Sequence, residues 1–154
     1  KMDEGYQAIE WKAVVMIGGM LSLGMALDKS GAANLISRNL LHILSPLGHF
    51  PVLAGLFVIS MLLAQVISGA AAMVLLAPIA LSSAAQLQVS PYPMVMILVL
   101  GASSGFLTPV SHPVNVFVMG PGGYKVGDYV RVGLCLTAIV FMLAMVLVPF
   151  FWRL

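Results

Sequence analysis

The stretch Gly101–Tyr124, GASSGFLTPVSHPVNVFVMGPGGY, decides the fold because it interrupts a helix inside a long apolar region. Pro109 and Pro113 each remove a backbone donor and clash with the turn that precedes them. At membrane depth, non-helical backbone is tolerated only where it is buried in protein or lines a cavity. The stretch therefore predicts a broken helix with a binding site at the break. Polar side chains accompany it at Ser103, Ser104, Thr108, Ser111, His112 and Asn115.

The composition of the whole chain is that of a membrane protein. Hydrophobic residues make up 61% of it and charged residues 8%, whereas soluble domains carry about 25% charged residues. No Asp, Glu, Lys or Arg occurs between Arg38 and Lys125, a distance much longer than the ~20 residues of one spanning helix. The chain is therefore predicted to be an all-α, polytopic membrane protein. Its net charge of +2 gives no reason to expect a nucleic-acid partner.

The first part of the chain predicts one span and one helix of a different kind. Residues 1–31 comprise a polar approach and a first span over Ile9–Leu27. Residues 32–50 comprise a helix over Ala32–Leu44 and a turn, and this helix is too short and too charged to span. It is predicted to be amphipathic and to lie in the plane of the interface. Its stripe consists of Leu35, Ile36, Asn39, Leu40, Ile43 and Leu44, with Ser37, Arg38, Leu41 and His42 elsewhere.

Residues 51–88 are apolar but contain a seam, which leaves two interpretations open. Gln65, Ser68 and Gly69 interrupt the run, and each leg is at the short end of what crosses a bilayer. The segment is either a pair of spanning helices or a re-entrant helical hairpin with its tip at residues 68–70. The hairpin is favoured because the seam lacks the charges and turn residues that a tip in water usually carries.

The last part of the chain predicts the broken helix and a final span. Residues 91–120 read as a helix over Met94–Leu107, the break, and a short piece over Val114–Met119. Gly120–Gly123 is predicted to be a tight surface turn. Residues 128–152 form the last span, with Asp128 as a cap and aromatic residues at its interfacial end.

The two interruptions, Ser68–Gly69 and Thr108–Asn115, suit ions without any ionised side chain. A helix N-terminus carries about half a positive charge and a C-terminus about half a negative one. Free N–H groups therefore suit an anion and free carbonyls suit a sodium ion, as in transporters with broken helices. The sequence contains no metal-ligand spacing, nucleophile elbow or phosphate loop, so an enzyme is not predicted.

Three runs of this sequence resemble the C-terminal half of the divalent-anion/sodium symporter (DASS) family. They are WKAVVMIGGMLSLGMALDKSGAA, SGAAAMVLLAPIAL and LTPVSHPVNVFVMGPGGYKVGDYVRVG. The resemblance implies one half of an inverted repeat that holds a re-entrant hairpin and a broken transmembrane helix, in an elevator-type homodimer. It also implies that Ala32–Leu44 is an arm helix, and that the N-terminal half of the same transporter is a partner.

The resemblance also implies which residues bind the ions. The tip and the break would form one sodium site and half of the anion site. In one respect this chain departs from the family, whose tip reads Ser-Asn-Thr where this chain has Ser68, Gly69 and Ala70. The implied substrate-binding residues are Ser68, Gly69, Ala70, Thr108, Pro109, His112, Pro113 and Asn115. The implied sodium ligands, mostly through the backbone, are Ser68, Gly69, Thr108 and Ser111.

The leading hypothesis is a sodium-coupled symporter of small divalent anions, such as a dicarboxylate or sulfate, that crosses the inner cell membrane several times. It needs no cofactor other than Na⁺ as the coupling ion. One alternative is a permease of the same fold that is coupled to protons, with His112 as the titrating group, or that carries another anion. A second alternative is a non-transporting scaffold or sensor, for which Gly69 and Ala70 would be the mark of a degenerate site.

Overall fold

The computed structural model of this protein describes residues 15, 18–19, 22–23, 25–27 and 29–152. Within them every regular element is helical, so the predicted all-α class is confirmed. Most of the predicted first span, Ile9–Leu27, lies outside the described residues, and its described positions are helical. The helices are α1 (Ala32–Leu44), α2 (His49–Ala64), α3 (Gly69–Leu87), α4 (Pro91–Ser103), α5 (Pro113–Gly122) and α6 (Val126–Phe151), with 3₁₀ turns at Ser45–Leu47 and Pro109–Ser111.

Helix α4 lies at the centre, where it packs against α2 and α3 and is also contacted by α6. The α2–α4 contact is the most extensive in the described residues. Its core includes Leu53 and Phe57 of α2 with Met94, Ile97 and Leu98 of α4, all at most 1% exposed. Between helices in a membrane, side chains buried to this degree stabilise the fold by close van der Waals packing, because lipid tails are as apolar as the side chains themselves. This packing fixes the C-terminal end of α4, where the break begins.

Helices α2 and α3 form a helical hairpin whose tip is held by local hydrogen bonds. The N–H groups of Val66 and Ile67 both donate to the carbonyl of Leu63 at 3.0 Å and end α2. Ser68 then adopts an extended backbone, and its hydroxyl accepts the N–H of Ala71 at 3.3 Å. Ser68 is therefore the N-cap of α3. Two described helices, α3 and α6, are long and apolar enough to cross a membrane, and α2 and α4 are shorter apolar helices.

The break differs from its sequence-based prediction at both ends. Helix α4 ends at Ser103, not at Leu107. Beyond it, the Ser104 N–H donates to the Gly101 carbonyl at 3.0 Å, and the Ser104 hydroxyl donates at 2.7 Å to the Leu100 carbonyl, which in a continuing helix would accept that N–H. The non-helical segment then runs to His112, and Pro113 is the first residue of α5. Proline is favoured at this position, where its missing N–H has no helical partner to lose. Pro113 therefore starts a helix and does not interrupt one.

The predicted surface turn at Gly120–Gly123 is wrong, because α5 continues through Pro121 to Gly122. The helix ends at Gly123, whose φ of 63° lies in the left-handed region that glycine adopts at helix C-termini. Helix α6 then begins at Val126, earlier than the predicted residue 128. The N-cap is Lys125, not Asp128 as predicted. Asp128 lies in the first turn of the helix, and its carboxylate accepts the Lys125 N–H at 2.8 Å.

Helix α1 has the predicted bounds, but its most buried residues, Ala33, Ser37 and Leu41, lie beside the apolar stripe and not on it. Of the stripe, only Leu40 and Leu44 pack against the core. Ser37 is 0% exposed and Leu41 is 7% exposed, whereas Leu35 and Ile43 are exposed. The buried face packs on α3 through side-chain hydrogen bonds. Ser37 Oγ lies 2.9 Å from Ser83 Oγ. Gln86 Nε2 donates to Ser37 Oγ at 3.0 Å and to Ser82 Oγ at 3.1 Å, and Ser82 Oγ donates to Asn34 Oδ1 at 2.6 Å.

The Ser37→Ala substitution is expected to lower the free energy of unfolding by about 0.5–1.5 kcal/mol. It removes the central acceptor of the contact with α3, but Ser83 keeps its bond to the Ile79 carbonyl and Gln86 keeps Ser82. Thermal unfolding of the purified protein in detergent measures the loss. The control is Asn39→Ala on the exposed face of α1, which should cause none. Equal loss in both variants would contradict the prediction.

Candidate binding site

The hairpin tip and the break border one open cavity of ≈ 570 Å³. Its walls come from the first turn of α3, the last turn of α4, the break and the first turn of α5. The described residues that line it are Ser68, Gly69, Ala70, Met73, Ala102, Ser103, Gly105, Phe106, Ser111, His112, Val114 and Asn115.

Three helix ends therefore meet at this cavity. The N-termini of α3 and α5 contribute N–H groups that precede the first intrahelical bonds, at Gly69, Ala70 and Val114. Each N-terminus carries about half a positive charge, which favours an anion. The C-terminus of α4 contributes carbonyl groups and the opposite partial charge. The cavity thus offers separate surfaces to an anion and to a cation.

Most of the residues that the sequence singles out lie in this cavity. Six of them line it: Ser68, Gly69, Ala70, Ser111, His112 and Asn115. Thr108 and Pro109 are not among the lining residues, and Pro109 is buried. For Pro113 the backbone position is described, but its side chain lies outside what the structure describes. Which of these residues contact an ion stays a prediction.

Thr108 and Ser111 serve to hold the break in shape. The hydroxyl of Thr108 accepts the Ser111 N–H at 3.2 Å and donates to the carbonyl of Gln65, at the end of α2, at 3.2 Å. Ser111 Oγ lies within hydrogen-bonding distance of the carbonyls of Gly105 and Thr108. The break is therefore a compact loop that is bonded to itself and to the hairpin.

Asn115 connects the cavity to the last helix. Its side-chain amide approaches the Thr108 carbonyl at 3.5 Å, and its own carbonyl accepts the Tyr129 hydroxyl at 2.8 Å. A second cavity of ≈ 360 Å³ lies on the α6 side of Asn115 and includes Tyr124, Asp128 and Tyr129. Asn115 therefore stands between the binding cavity and the contact of α5 with α6.

Sequence reasoning missed several residues of the cavity wall. Met73, Ala102, Phe106 and Val114 are apolar and carry no signal of a site in the sequence, because only their tertiary position brings them there. Gly105 also lines the cavity, but it has no side chain that would mark it as a site residue in the sequence. Ser103 was recognised only as a polar residue beside the break, yet it is exposed and lines the cavity.

Close packing explains the glycine at the hairpin tip. A Cβ atom added to Gly69 would lie 2.5 Å from the carbonyl oxygen of Ala102 and 3.3 Å from its carbonyl carbon. Both contacts are with backbone, so the tip and the end of α4 would have to separate to admit any side chain. The asparagine that the resemblance implies at this position therefore has no room here. The space is occupied by the C-terminal end of α4.

The chemistry of the lining groups limits the ions that fit. No cluster of three or more His, Cys, Asp or Glu side chains occurs in the described part of the chain. The described lining residues offer carbonyl and hydroxyl oxygens to a cation, and such ligands suit hard ions. His112 is the titratable side chain among the described lining residues.

The sequence pattern of the family described as "Citrate transporter" (CitMHS) matches residues 1–154. The chain belongs to this family. The resemblance to anion/sodium symporters is confirmed. The chain is therefore part of a membrane protein of a transporter family.

Relatives of this citrate transporter family member span several kingdoms. "Uncharacterized transporter YfbS" of Escherichia coli is 40% identical over 96% of this chain. "Solute carrier family 13 member 2" of Oryctolagus cuniculus is 34% identical over 87% of it. "Probable sodium/sulfate cotransporter 3" of Chlamydomonas reinhardtii is 26% identical over 85% of it. The chain spans 24%, 23% and 15% of the lengths of these relatives.

Proposed function

We propose that the cavity between the hairpin tip and the break binds a small divalent anion, a dicarboxylate or sulfate, together with Na⁺. The chain would be part of a sodium-coupled symporter in the inner cell membrane. The observation that carries this proposal is the meeting of three helix ends, two N-termini and one C-terminus, at one cavity. Membership of the citrate transporter family and a relative named for sodium and sulfate support it.

A site of this kind binds an anion without holding it permanently. A charged side chain near the bilayer centre costs about 2.5–3.5 kcal/mol when the site is empty. The described lining residues instead offer helix N-termini, hydroxyl groups and an amide. A dianion is then held by partial charges that are already in place, and it can leave without exposing a buried cation. Release matters because a transporter must unload its substrate on the far side.

Sodium would bind through oxygen atoms of the same cavity. The candidate ligands are backbone carbonyls at the end of α4 and in the break, and the hydroxyls of Ser68 and Ser111. A bound Na⁺ would offset the charge of the anion, because the described lining residues include no Asp, Glu, Lys or Arg. The membrane potential adds about 2.3 kcal/mol per net charge per 100 mV, so additional sodium ions would drive uptake.

The proposed movement is of the elevator type. The hairpin would be re-entrant, with its tip near the middle of the bilayer, and α1 would be an arm in the interface plane. The exposed apolar side chains of α1, Leu35 and Ile43 among them, suit a lipid surface. The N-terminal half of the same transporter would supply the other half of the site, and two copies would form a homodimer.

The test is uptake by the whole protein in liposomes. Labelled sulfate, succinate and citrate are supplied with an inward Na⁺ gradient, and in parallel with a K⁺ gradient of the same size. We expect uptake of at least one dianion to depend on the Na⁺ gradient and to stop when a sodium ionophore collapses it. Absence of sodium-dependent uptake for every dianion would overturn the proposal, and absence of uptake under any ion gradient would favour a scaffold or sensor.

Proton coupling is the second candidate, and the position of His112 in the cavity wall favours it. Its imidazole would then bind and release a proton during the cycle. The same liposomes distinguish it, because uptake would follow an inward proton gradient without sodium, and His112→Gln would remove that dependence. If uptake driven by a proton gradient is unchanged in His112→Gln, proton coupling through His112 is excluded.

A further inference from the structure

Gln65 joins the hairpin to the break at two points. Its amide nitrogen donates to the carbonyl of Met61 at 3.1 Å, in its own helix, and to the carbonyl of Ser104 at 3.2 Å, in the break. Its backbone carbonyl accepts the Thr108 hydroxyl at 3.2 Å. Ser104 and Thr108 lie near the two ends of the non-helical segment before its 3₁₀ turn. A single residue thus holds the entire first part of the break against the end of α2.

The orientation of the Gln65 amide is set by its partners. Both neighbours of Nε2 are carbonyl oxygens, which only accept, so exchanging the amide atoms would place three oxygens together. The other amide atom, Oε1, is buried and has no hydrogen-bond partner in the described structure. A buried acceptor without a donor is destabilising. A methionine of similar size would fill the space without that cost, so the function of the amide lies in its two donated bonds.

We propose that Gln65 is a positioning residue of the binding cavity, although it does not line the cavity itself. It fixes the distance between the hairpin tip, at Ser68–Ala70, and the break, and thereby the distance between the N-termini of α3 and α5. Both N-termini must reach one small anion, so their separation determines affinity. This role depends on the cavity being the anion site proposed above.

The test compares two glutamine-to-methionine variants of the whole protein, Gln65→Met and the control Gln86→Met. Gln65→Met keeps the volume and loses both donated bonds. The control, Gln86→Met, also loses two donated bonds. One joins α3 to Ser37 of α1 and the other bonds Ser82 within α3, so both lie away from the cavity. For Gln65→Met we expect the half-saturating anion concentration to rise about tenfold, with the maximal rate little changed. For Gln86→Met we expect no rise.

A distance measurement separates this role from the transport function. Spin labels at Val66 and Phe117, which are 78% and 76% exposed, report the separation of the tip and α5 in a cysteine-free background. We expect one narrow distance in the parent protein and in Gln86→Met, and a broader or longer one in Gln65→Met. If the parent transports no anion, the proposed function fails while this comparison still measures the role of Gln65.

A second variant covers the case in which Gln65→Met does not fold. Thr108→Val removes the hydroxyl that donates to the Gln65 carbonyl and that also accepts the Ser111 N–H. It should raise the half-saturating concentration and also broaden or lengthen the label distance, as Gln65→Met does. In the double variant the two effects should be less than additive, because both bonds join the same two segments. An unchanged label distance and unchanged half-saturation in Gln65→Met, or in Thr108→Val where only that variant folds, would overturn the proposal.

Discussion

Substitution of Gly133 by alanine is expected to displace α6 from the break and to abolish transport by the whole protein. Gly133 is buried, and a Cβ atom there would overlap the Phe106 carbonyl oxygen and lie 2.6 Å from its carbon and 3.0 Å from the Leu107 nitrogen. These atoms are all backbone, so no side chain can turn away to make room. Phe106 lines the cavity, and the displacement therefore reaches the site.

The size of the Gly133→Ala effect is set by overpacking, which costs about 1–3 kcal/mol. Thermal unfolding in detergent measures the stability loss, and sodium-driven uptake in liposomes measures the loss of function. Gly127→Ala on the same helix is the control, because no atom lies within 4 Å of a Cβ there. It should be neutral or stabilising by up to about 1 kcal/mol, the helix preference of alanine over glycine. Stabilisation by both substitutions would refute the contact.

Gly101→Ala should cause the second large effect, by forcing α4 away from α2. A Cβ atom at Gly101 would lie 2.6 Å from the Phe57 carbonyl oxygen and 3.1 Å from the Phe57 Cα, and it would overlap the Ser60 hydroxyl. The α2–α4 contact is the most extensive one in the described residues. We expect a stability loss of about 1–3 kcal/mol, measured as a lower unfolding temperature.

A companion substitution identifies the source of that loss. Ser60→Ala removes the overlapping hydroxyl but leaves the Phe57 backbone in place, so Gly101→Ala/Ser60→Ala should recover only part of the stability. Gly120→Ala, where a Cβ meets nothing within 4 Å, serves as the glycine control. Full recovery in the double variant would mean that the backbone contact with Phe57 is unimportant.

The sequence predicted the helical class and the location of both interruptions, because hydrophobicity and breaker residues are local signals. It did not predict the limits of the break. Ser103, Ser104 and Gly105 are equally compatible with a helix end and with a helix that continues. In the structure the Ser104 hydroxyl bonds the Leu100 carbonyl, a competition between side chain and backbone whose outcome the sequence leaves open. Proline is compatible both with the interruption of a helix and with its start, and at Pro113 the structure has the start.

From residue chemistry, the candidate site was predictable only where it is polar, and Gly69 and Ala70 followed from the family resemblance of the tip. Ser68, Ser111, His112 and Asn115 stand out in an apolar region, and the structure brings them to one cavity. The contribution of Ala102 and Phe106 comes from tertiary packing, which leaves no mark in an apolar sequence. Gln65 was visible as an interruption of the hairpin, but its bond to Ser104 joins residues 39 positions apart. The spacing of residues in the sequence alone does not predict a contact between them.

The contact between Gly69 and Ala102 affects how this protein can be re-engineered. Transplanting the Ser-Asn-Thr tip of a symporter into this chain would push apart two backbones that now touch, so the graft alone would produce a disordered tip. A chimaera would have to exchange the tip and the end of α4 as one cassette.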